Sequence, residues 1–376
     1  MPKPKSKYSF FDKIFLPLTV VSVICLLLGT IAGYIDPRKN FLMAYFALAY
    51  PYSLVVSFLF FIWWSLRKRW VFSIIIILVI VIGFRTFHAT FGFGGIEGGA
   101  EKEVGSIRMM TYNVHSFKLF GEDNSIPVKE KMLQVVKDQN PDVICFQEFY
   151  TRKKGKLNTI DSLKKLLKMD NYYFRPAGTE NDFDAFGLAI FSKFPIKNKG
   201  EIVFESSGDN MSIFADLDIK GKTMRVFNVH FQSISFQPQD YQFIDQLTQK
   251  TRGKLYASKR ILRMLKRAFV KRSDQVDIMK KEMAKCQWPY LIAGDFNDTP
   301  ASYAVNQVTK GLNNSFIKKG SGFGKTYNGK FPNFQIDYIA TSKDFEILNY
   351  QITKAKLSDH FPVRTDIRFI ETVSAD

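Results

Sequence analysis

The chain has 376 residues, 46% of them hydrophobic and 23% charged, with a formal net charge of +18. That balance excludes a disordered or low-complexity polypeptide, and the length suits two modules or one large domain with an appendage. Three cysteines, Cys25, Cys145 and Cys286, are too few and too scattered for a disulfide framework or a thiolate zinc site, and they read as inert core thiols.

The two halves of the chain are unlike. The first hundred residues carry ten Lys or Arg against three Asp or Glu, and the remainder 43 against 32. Residues 14–34 contain no formal charge, and at about 1.5 Å per residue this run crosses a hydrocarbon core of about 30 Å. Residues 41–64 form a second uncharged run with Pro51 inside it, which a membrane helix tolerates where packing re-satisfies the freed carbonyl. A third span is placed at 70–87, on a shorter apolar run between Arg69 and Arg85, whose side chains can snorkel. Residues 1–90 are therefore expected to be a membrane anchor of about three helices. A cleaved signal peptide is the other reading of the first run, given Lys3, Lys5, Lys7 and Lys13; the run is long for that, lacks a small-x-small exit and is followed by further spans. Arg38 and Lys39, in the loop after the first span, are outnumbered by the N-terminal lysines and by Arg67, Lys68 and Arg69. The positive-inside bias then places everything after the third span on the non-cytoplasmic side of an inner or plasma membrane. A Gly-rich stretch follows, and 91–105 is expected to be a flexible linker.

Residues 106–370 alternate apolar runs with amphipathic stretches, an α/β pattern in which sheets are covered by helices. Many of the runs end in a carboxylate, carboxamide or imidazole: Asn113, Glu148, His230, Asp295 with Asn297, Asp337, and Asp359 with His360. Singly, each reads as a turn former or helix cap. Together they point to a site assembled on rigid sheet ends, and the three histidines of this half, His115, His230 and His360, all lie within or beside these motifs.

Thr-Tyr-Asn113, Phe-Gln-Glu148, Asn-Val-His230, Gly-Asp295-Phe-Asn297, Ile-Asp337-Tyr and Ser-Asp359-His360 occur in an order that resembles the motif set of the endonuclease/exonuclease/phosphatase family. The resemblance covers about 106–370. It implies a four-layer α/β/β/α sandwich of two mixed sheets, here preceded by N-terminal transmembrane helices. It also implies hydrolysis of a phosphate ester with Mg²⁺, or Mn²⁺ in its place. A hard divalent ion wants oxygen ligands and tolerates several waters; Glu148 is the expected ligand, with Asn113 and Asp359 beside it. By the same resemblance His360, oriented by Asp337, activates the attacking water, while Asp295 positions that water or the leaving group. Asn297 would donate to a phosphoryl oxygen and His230 would bind the phosphate or stabilise its growing charge. Arg175 departs from the family pattern and reads either as a bidentate phosphate ligand or as a surface arginine.

The segment 250–285 carries many Lys and Arg at helical spacing with apolar residues between. Such an amphipathic helix faces solvent, acidic headgroups or a polyanionic substrate. Partners expected from the sequence are a phosphate-ester substrate and a lipid bilayer, with no obligate protein partner. Two substrate classes stay open, nucleic acid and a phospholipid-type headgroup. The competing reading is a catalytically idle membrane protein that binds a phosphorylated ligand in the same cleft, although a binding module has no need of the full set of acids and imidazoles.

Overall fold

In the computed structural model, which describes residues 8–94, 101–117, 126–179, 183–204, 210–234, 254–329 and 334–371, two long apolar helices open the chain. Helix α1 (Phe10–Ala32) starts with a capping box between Ser9 and Asp12, and its 23 residues extend about 35 Å at the standard helical rise. It pairs with α2 (Leu42–Leu66), and both helices are long and apolar enough to cross a membrane. A side chain at Gly29 would fall 2.8 Å from the Phe46 carbonyl oxygen, so glycine is what lets the two backbones meet. Polar groups inside the pair satisfy one another: Ser22 Oγ lies 2.6 Å from Ser57 Oγ, the Trp64 indole donates to Thr19 at 2.8 Å, and Arg67 reaches Asp12 at 2.9 Å. Helix α3 (Trp70–Ile82) stops at Gly83, and α4 (Phe84–Thr90) departs from it at 80°. The run expected to span at 70–87 is therefore bent at Gly83. A glycine inside a helix weakens it by about 1 kcal/mol, and here glycine leaves room for Thr30, which a Cβ would approach to 2.7 Å.

The expected linker begins instead with a strand. Phe91–Phe93, β1, pairs antiparallel with Ser321–Phe323, β11, and the Gly94 N–H donates to the Gly320 carbonyl at 2.7 Å. The glycines that read as hinge residues permit this close approach, since a Cβ on Gly92 would fall 2.3 Å from the Gly320 oxygen. Residues 95–100 of that linker lie outside the described residues.

Two mixed sheets follow. The first has the order β13 (Phe345–Ile347), β15 (Val363–Phe369), β2 (Ile107–Asn113), β3 (Val143–Arg152), β5 (Asp184–Ser192), β4 (Asn171–Thr179), with β14 (Gln351–Ile352) also on β15. The second runs β10 (Asn313–Asn314), β12 (Asp337–Thr341), β9 (Tyr290–Asp295), β8 (Lys222–His230), β7 (Met211–Ile219), β6 (Ile196–Val203). Each contains one parallel pair, β2 with β3 and β8 with β9, among antiparallel neighbours. Met109, Cys145 and Ile190 from the first sheet interleave with Ile213, Val226 and Leu291 from the second, and each large side chain so buried contributes about 1.5–3 kcal/mol. On the outer face of the first sheet lie α5 (Ile126–Gln139) and α6 (Thr159–Leu167); on that of the second lie α7 (Lys254–Ala284) and α8 (Tyr303–Val308). This is the expected four-layer sandwich. Of the cysteines only Cys145 is fully buried, while Cys25 and Cys286 are partly exposed, against the expectation of three core thiols.

The first two helices pack directly on the sandwich. Arg38, in the loop between them, pairs with Asp274 and Asp277 of α7 at 3.0 and 2.7 Å. Tyr45 Oη donates to the Leu262 carbonyl at 2.6 Å, and Thr299 donates to the Ala47 carbonyl at 3.3 Å. Arg272 of α7, buried, holds Asp298 at 2.9 Å.

A polar contact locks the sheets together: the Gln147 amide donates to Asn228 Oδ1 at 2.6 Å, and the Asn228 amide donates to the carbonyls of Phe146 and Ala189 at 2.9 and 3.0 Å. Asn228→Ala leaves these buried groups without partners, at a cost of about 2–4 kcal/mol. Its Tm, followed on the full-length protein in detergent, is expected to fall by about 3–7 °C; an unchanged Tm would remove the clamp from the fold.

Candidate active site

Strand register brings the polar strand ends to one edge of the sandwich. Asn113 ends β2 beside Gln147 of β3, His230 ends β8 opposite Asp295 of β9, and Asp337 opens β12 opposite the same Asp295. A bulge in β3 between Phe146 and Phe149 puts Glu148 at φ 50° and turns its side chain into the cleft. Gly294 sits at φ 143° with the Val229 carbonyl oxygen 2.0 Å from where a Cβ would be. No other residue fits before Asp295 without displacing β8.

The side chains then converge. Asn113 Nδ2 donates to Glu148 Oε1 at 3.2 Å and to Asp295 Oδ2 at 3.1 Å, while its Oδ1 accepts the His115 N–H. His230 Nε2 lies 3.8 Å from Glu148 and 3.7 Å from Asp295, buried and without a hydrogen-bond partner. Asp337 holds His360 Nδ1 at 2.9 Å and leaves Nε2 facing Asp295 at 3.6 Å. Asp359 completes the rim. Its nearest imidazole is that of His115, whose Nδ1 is 3.3 Å from Glu148 and 3.8 Å from Asp359. Asn297, at φ 54°, donates its backbone N–H to Asp295 at 2.8 Å and its amide to the Phe231 carbonyl at 2.9 Å. The amide nitrogen keeps a second hydrogen.

Arg175 is not part of this cluster. It forms an ion pair with Glu201 of β6 and donates to its neighbouring carbonyl at Pro176, so the arginine is engaged by structure and the reading as a phosphate ligand finds no support. A cavity of about 1030 Å³ opens at the opposite end of the strands, by Lys193, Ile219 and Lys222. Lys102 and Lys193 pair there with Asp142 and Arg368 with Glu346, and no histidine lines it.

Electrostatics follow from four carboxylates and three imidazoles in one cleft. Burial pushes Asp295 up to about 6, with His360 drawing it down and Asp337 pushing it up. Desolvation would raise Glu148, but His115, His230 and His360 outweigh it and hold that carboxyl at about 2. Desolvation would likewise lower His360, but Asp337, Asp295 and Asp359 hold its imidazole well above the usual histidine range. Supporting groups went unseen in the sequence. Ser358 Oγ donates to the Asn113 carbonyl at 2.9 Å and accepts the His360 N–H at 3.2 Å. Thr326 Oγ1 accepts the Asp337 N–H at 3.0 Å, and the Tyr327 ring meets the His360 ring edge-on at 5.2 Å. Ser358 and His115 adjoin recognised motifs and were within reach of sequence reasoning; Thr326 and Tyr327 had no local signal.

Asp295, Asp337 and His360 offer ligand atoms within 4.8 Å of one another, and Glu148 faces them across His230. Glu148, with Asn113 and Asp359 beside it, adds carboxylate and carboxamide oxygens and no thiolate, a donor set that fits a hard divalent cation.

A sheet sandwich with acids and imidazoles gathered on one edge defines a hydrolase-like fold class, and comparison with known proteins agrees. The Endonuclease/Exonuclease/phosphatase family profile matches residues 110–360, and the chain belongs to that family. A second profile, described as a domain of unknown function (DUF8431), matches residues 12–90. A search of curated protein sequences finds no match. Among solved structures, an endonuclease/exonuclease/phosphatase from Bacteroides vulgatus shares 17% identity with a TM-score of 0.51, covering 70% of this chain and 99% of that one. A mannosyl-6-phosphatase of Bacteroides thetaiotaomicron shares 18% with a TM-score of 0.50, covering 70% and 100%. The human Nocturnin catalytic domain with bound sulfate shares 16%, also with a TM-score of 0.50, covering 76% and 99%. Identities this low show a common fold.

Mg²⁺ or Mn²⁺ at about a hundred times its dissociation constant stabilises a folded protein by about 2.7 kcal/mol, which raises Tm by roughly 3–5 °C in a protein of this size. That rise is expected for the wild type and is expected to vanish in Glu148→Gln; an equal rise in both would remove Glu148 from the metal site.

Proposed function

We propose that this protein is a membrane-tethered, metal-dependent phosphoesterase whose residues 1–90 anchor a catalytic domain at 106–370. The observation that carries the reading is the His360–Asp337 pair at 2.9 Å, with its free nitrogen turned toward Asp295 in the cleft that also holds Glu148. An idle ligand-binding cleft has no use for a carboxylate that fixes the tautomer of an imidazole.

In this mechanism Glu148, with Asn113 and Asp359 beside it, would hold Mg²⁺, which supplies charge neutralisation at the phosphate. Asp337 binds Nδ1 of His360 and so presents Nε2 to the reacting water, the role of an orienting acid in other hydrolytic sites. Asp295, which shares that water with His360, positions it opposite the leaving oxygen. His230 offers its unpartnered Nε2 to the phosphate, and Asn297 its remaining amide hydrogen. The Tyr327 ring meets the His360 ring edge-on and covers one side of the imidazole.

A phospholipid-type headgroup is the substrate class the contacts favour over nucleic acid. Tyr52 of α2 packs against Phe334 at 5.2 Å; the Phe334 carbonyl accepts the Tyr327 N–H at 3.1 Å; and the Tyr327 ring lies on His360. The mouth of the site thus stands a few side chains from an apolar helix. Catalysis on the non-cytoplasmic face of an inner or plasma membrane completes the proposal.

Full-length protein in detergent is expected to hydrolyse bis-para-nitrophenyl phosphate with Mg²⁺ and to stop on addition of EDTA. Asp337→Asn is expected to lower kcat by about 10²- to 10⁴-fold. Equal background rates for wild type, Glu148→Ala and His360→Ala would exclude the enzyme, and plasmid nicking without release of headgroups from vesicles would assign it to nucleic acid. For orientation, a chain with Cys25 and Cys286 replaced by Ser and carrying Lys220→Cys is expected to react with a membrane-impermeant maleimide on intact cells; labelling only after permeabilisation would place the domain in the cytoplasm.

A further inference from the structure

Helix α7 is longer than the sheet it covers. Its C-terminal half buries Val276, Met279 and Met283 on the second sheet, as an outer-layer helix should. Its N-terminal half packs instead on α2, where Leu265 and Phe269 cluster with Ala44, and Ile261 and Leu48 join the same cluster. The order of contacts makes the two helices antiparallel. Asp274 and Asp277 meet Arg38 before α2 begins; Phe269 packs edge-on against Tyr45 at 5.5 Å; and the Leu262 carbonyl accepts the Tyr45 hydroxyl. As α7 is followed back toward its N-terminus, it descends alongside the first turns of α2, toward the lipid-facing part of a helix long and apolar enough to cross a bilayer.

The surface it presents there is basic. No Asp or Glu occurs between Lys254 and Ser273, whereas Lys259, Arg260, Arg263, Lys266, Arg267 and Lys271 do. Lys259, Arg263, Lys266 and Arg267 are exposed, and Lys266 Nζ lies 4.0 Å over the ring of Phe41, the residue that precedes α2. Among these cations Leu262 remains 48% exposed, and Leu42 on α2 is 53% exposed. An exposed leucine between arginines beside a membrane-length apolar helix suits an interfacial helix, because the leucine enters the acyl boundary while the cations stay at the phosphates.

We propose that the N-terminal half of α7 is a docking surface for anionic phospholipid headgroups of the bilayer crossed by α1 and α2. The ligand chemistry is a lipid phosphate without a compensating cation, such as that of phosphatidylglycerol. Charge complementarity and continuity with the apolar helices define the occupant, and the contact fixes the height of the catalytic domain above the membrane. The inference rests on the membrane reading of α1 and α2 but not on the catalytic one.

The test titrates full-length protein in neutral detergent with phosphatidylglycerol or phosphatidylcholine and follows Tm. Wild type is expected to be stabilised by phosphatidylglycerol at lower concentration than by phosphatidylcholine, with the difference shrinking in 0.5 M NaCl, since exposed charges are screened beyond about 3–10 Å at such ionic strengths. Each basic residue near an anionic surface contributes about five-fold in affinity. The combined variant Lys259→Gln, Arg263→Gln, Lys266→Gln, Arg267→Gln should therefore need at least about 25-fold more phosphatidylglycerol, with its response to phosphatidylcholine unchanged. Arg in place of Lys259 and Lys266 should retain the preference, as should Lys220→Gln with Lys222→Gln at the far end of the sandwich. An undiminished preference in the four-residue variant, or equal responses of wild type to both lipids, overturns the proposal; absence of stabilisation by either lipid would instead overturn the membrane reading beneath it.

Discussion

The site depends on how two sheets are held face to face. Interleaved apolar side chains set their separation, but apolar packing is not directional and tolerates sliding. The Gln147–Asn228 hydrogen bond at 2.6 Å, extended by Asn228 to Phe146 and Ala189, supplies the direction. Gln147 immediately precedes Glu148, and Asn228 stands two residues before His230. Because strand side chains alternate, Asn228 and His230 share a face of β8, so the contact that registers the sheets also delivers His230 and Glu148 to the same cleft. A one-residue slip in either sheet would carry half the site to the wrong face.

Within that frame the cleft concentrates charge in a manner that needs a ligand. Glu148 is held ionised by three imidazoles, while burial and Asp337 push Asp295 up against the pull of His360, and Asp337, Asp295 and Asp359 hold His360 above its ordinary range. Such opposed shifts mark sites where groups are arranged for chemistry at the expense of stability. Buried pairs of this kind stabilise a fold weakly even when complete.

The apolar helices are not a loose tether. They pack against α7 and against the residues that follow Asn297, with Thr299 bonded to Ala47, Arg272 bonded to Asp298, and Ala301 in the same cluster as Leu26 and Tyr50. The loop that carries Asp295 and Asn297 on one side is therefore seated on the apolar helix pair on the other. Breaking a buried charge pair such as Arg272–Asp298 costs about 3–5 kcal/mol, so a disturbance of the helix pair reaches the cleft through few intermediates.

Local pattern was enough to reveal the apolar runs, the strands that end in Asn113, His230 and Asp295, and the motif order that marks the family, because charge depletion and two-residue alternation are properties of neighbouring residues; Glu148, read as a strand end, lies inside β3 at a bulge, and Asp337 opens β12 instead of following it. The same pattern misled where a partner lay far away. Gly92 and Gly94 read as a hinge, yet glycine is equally what a tight β1–β11 contact requires, and only the presence of Ser321–Phe323 decides between the two. Residues 70–87 read as one span because hydropathy averages across Gly83, whereas the chain turns by 80° there. Arg175 could meet a phosphate or a carboxylate, and the structure pairs it with Glu201 on β6 of the other sheet. Tertiary structure alone placed His115 between Glu148 and Asp359 and laid α7 along α2, since which distant side chains meet depends on sheet register and helix crossing, and neither is written in any short stretch of chain.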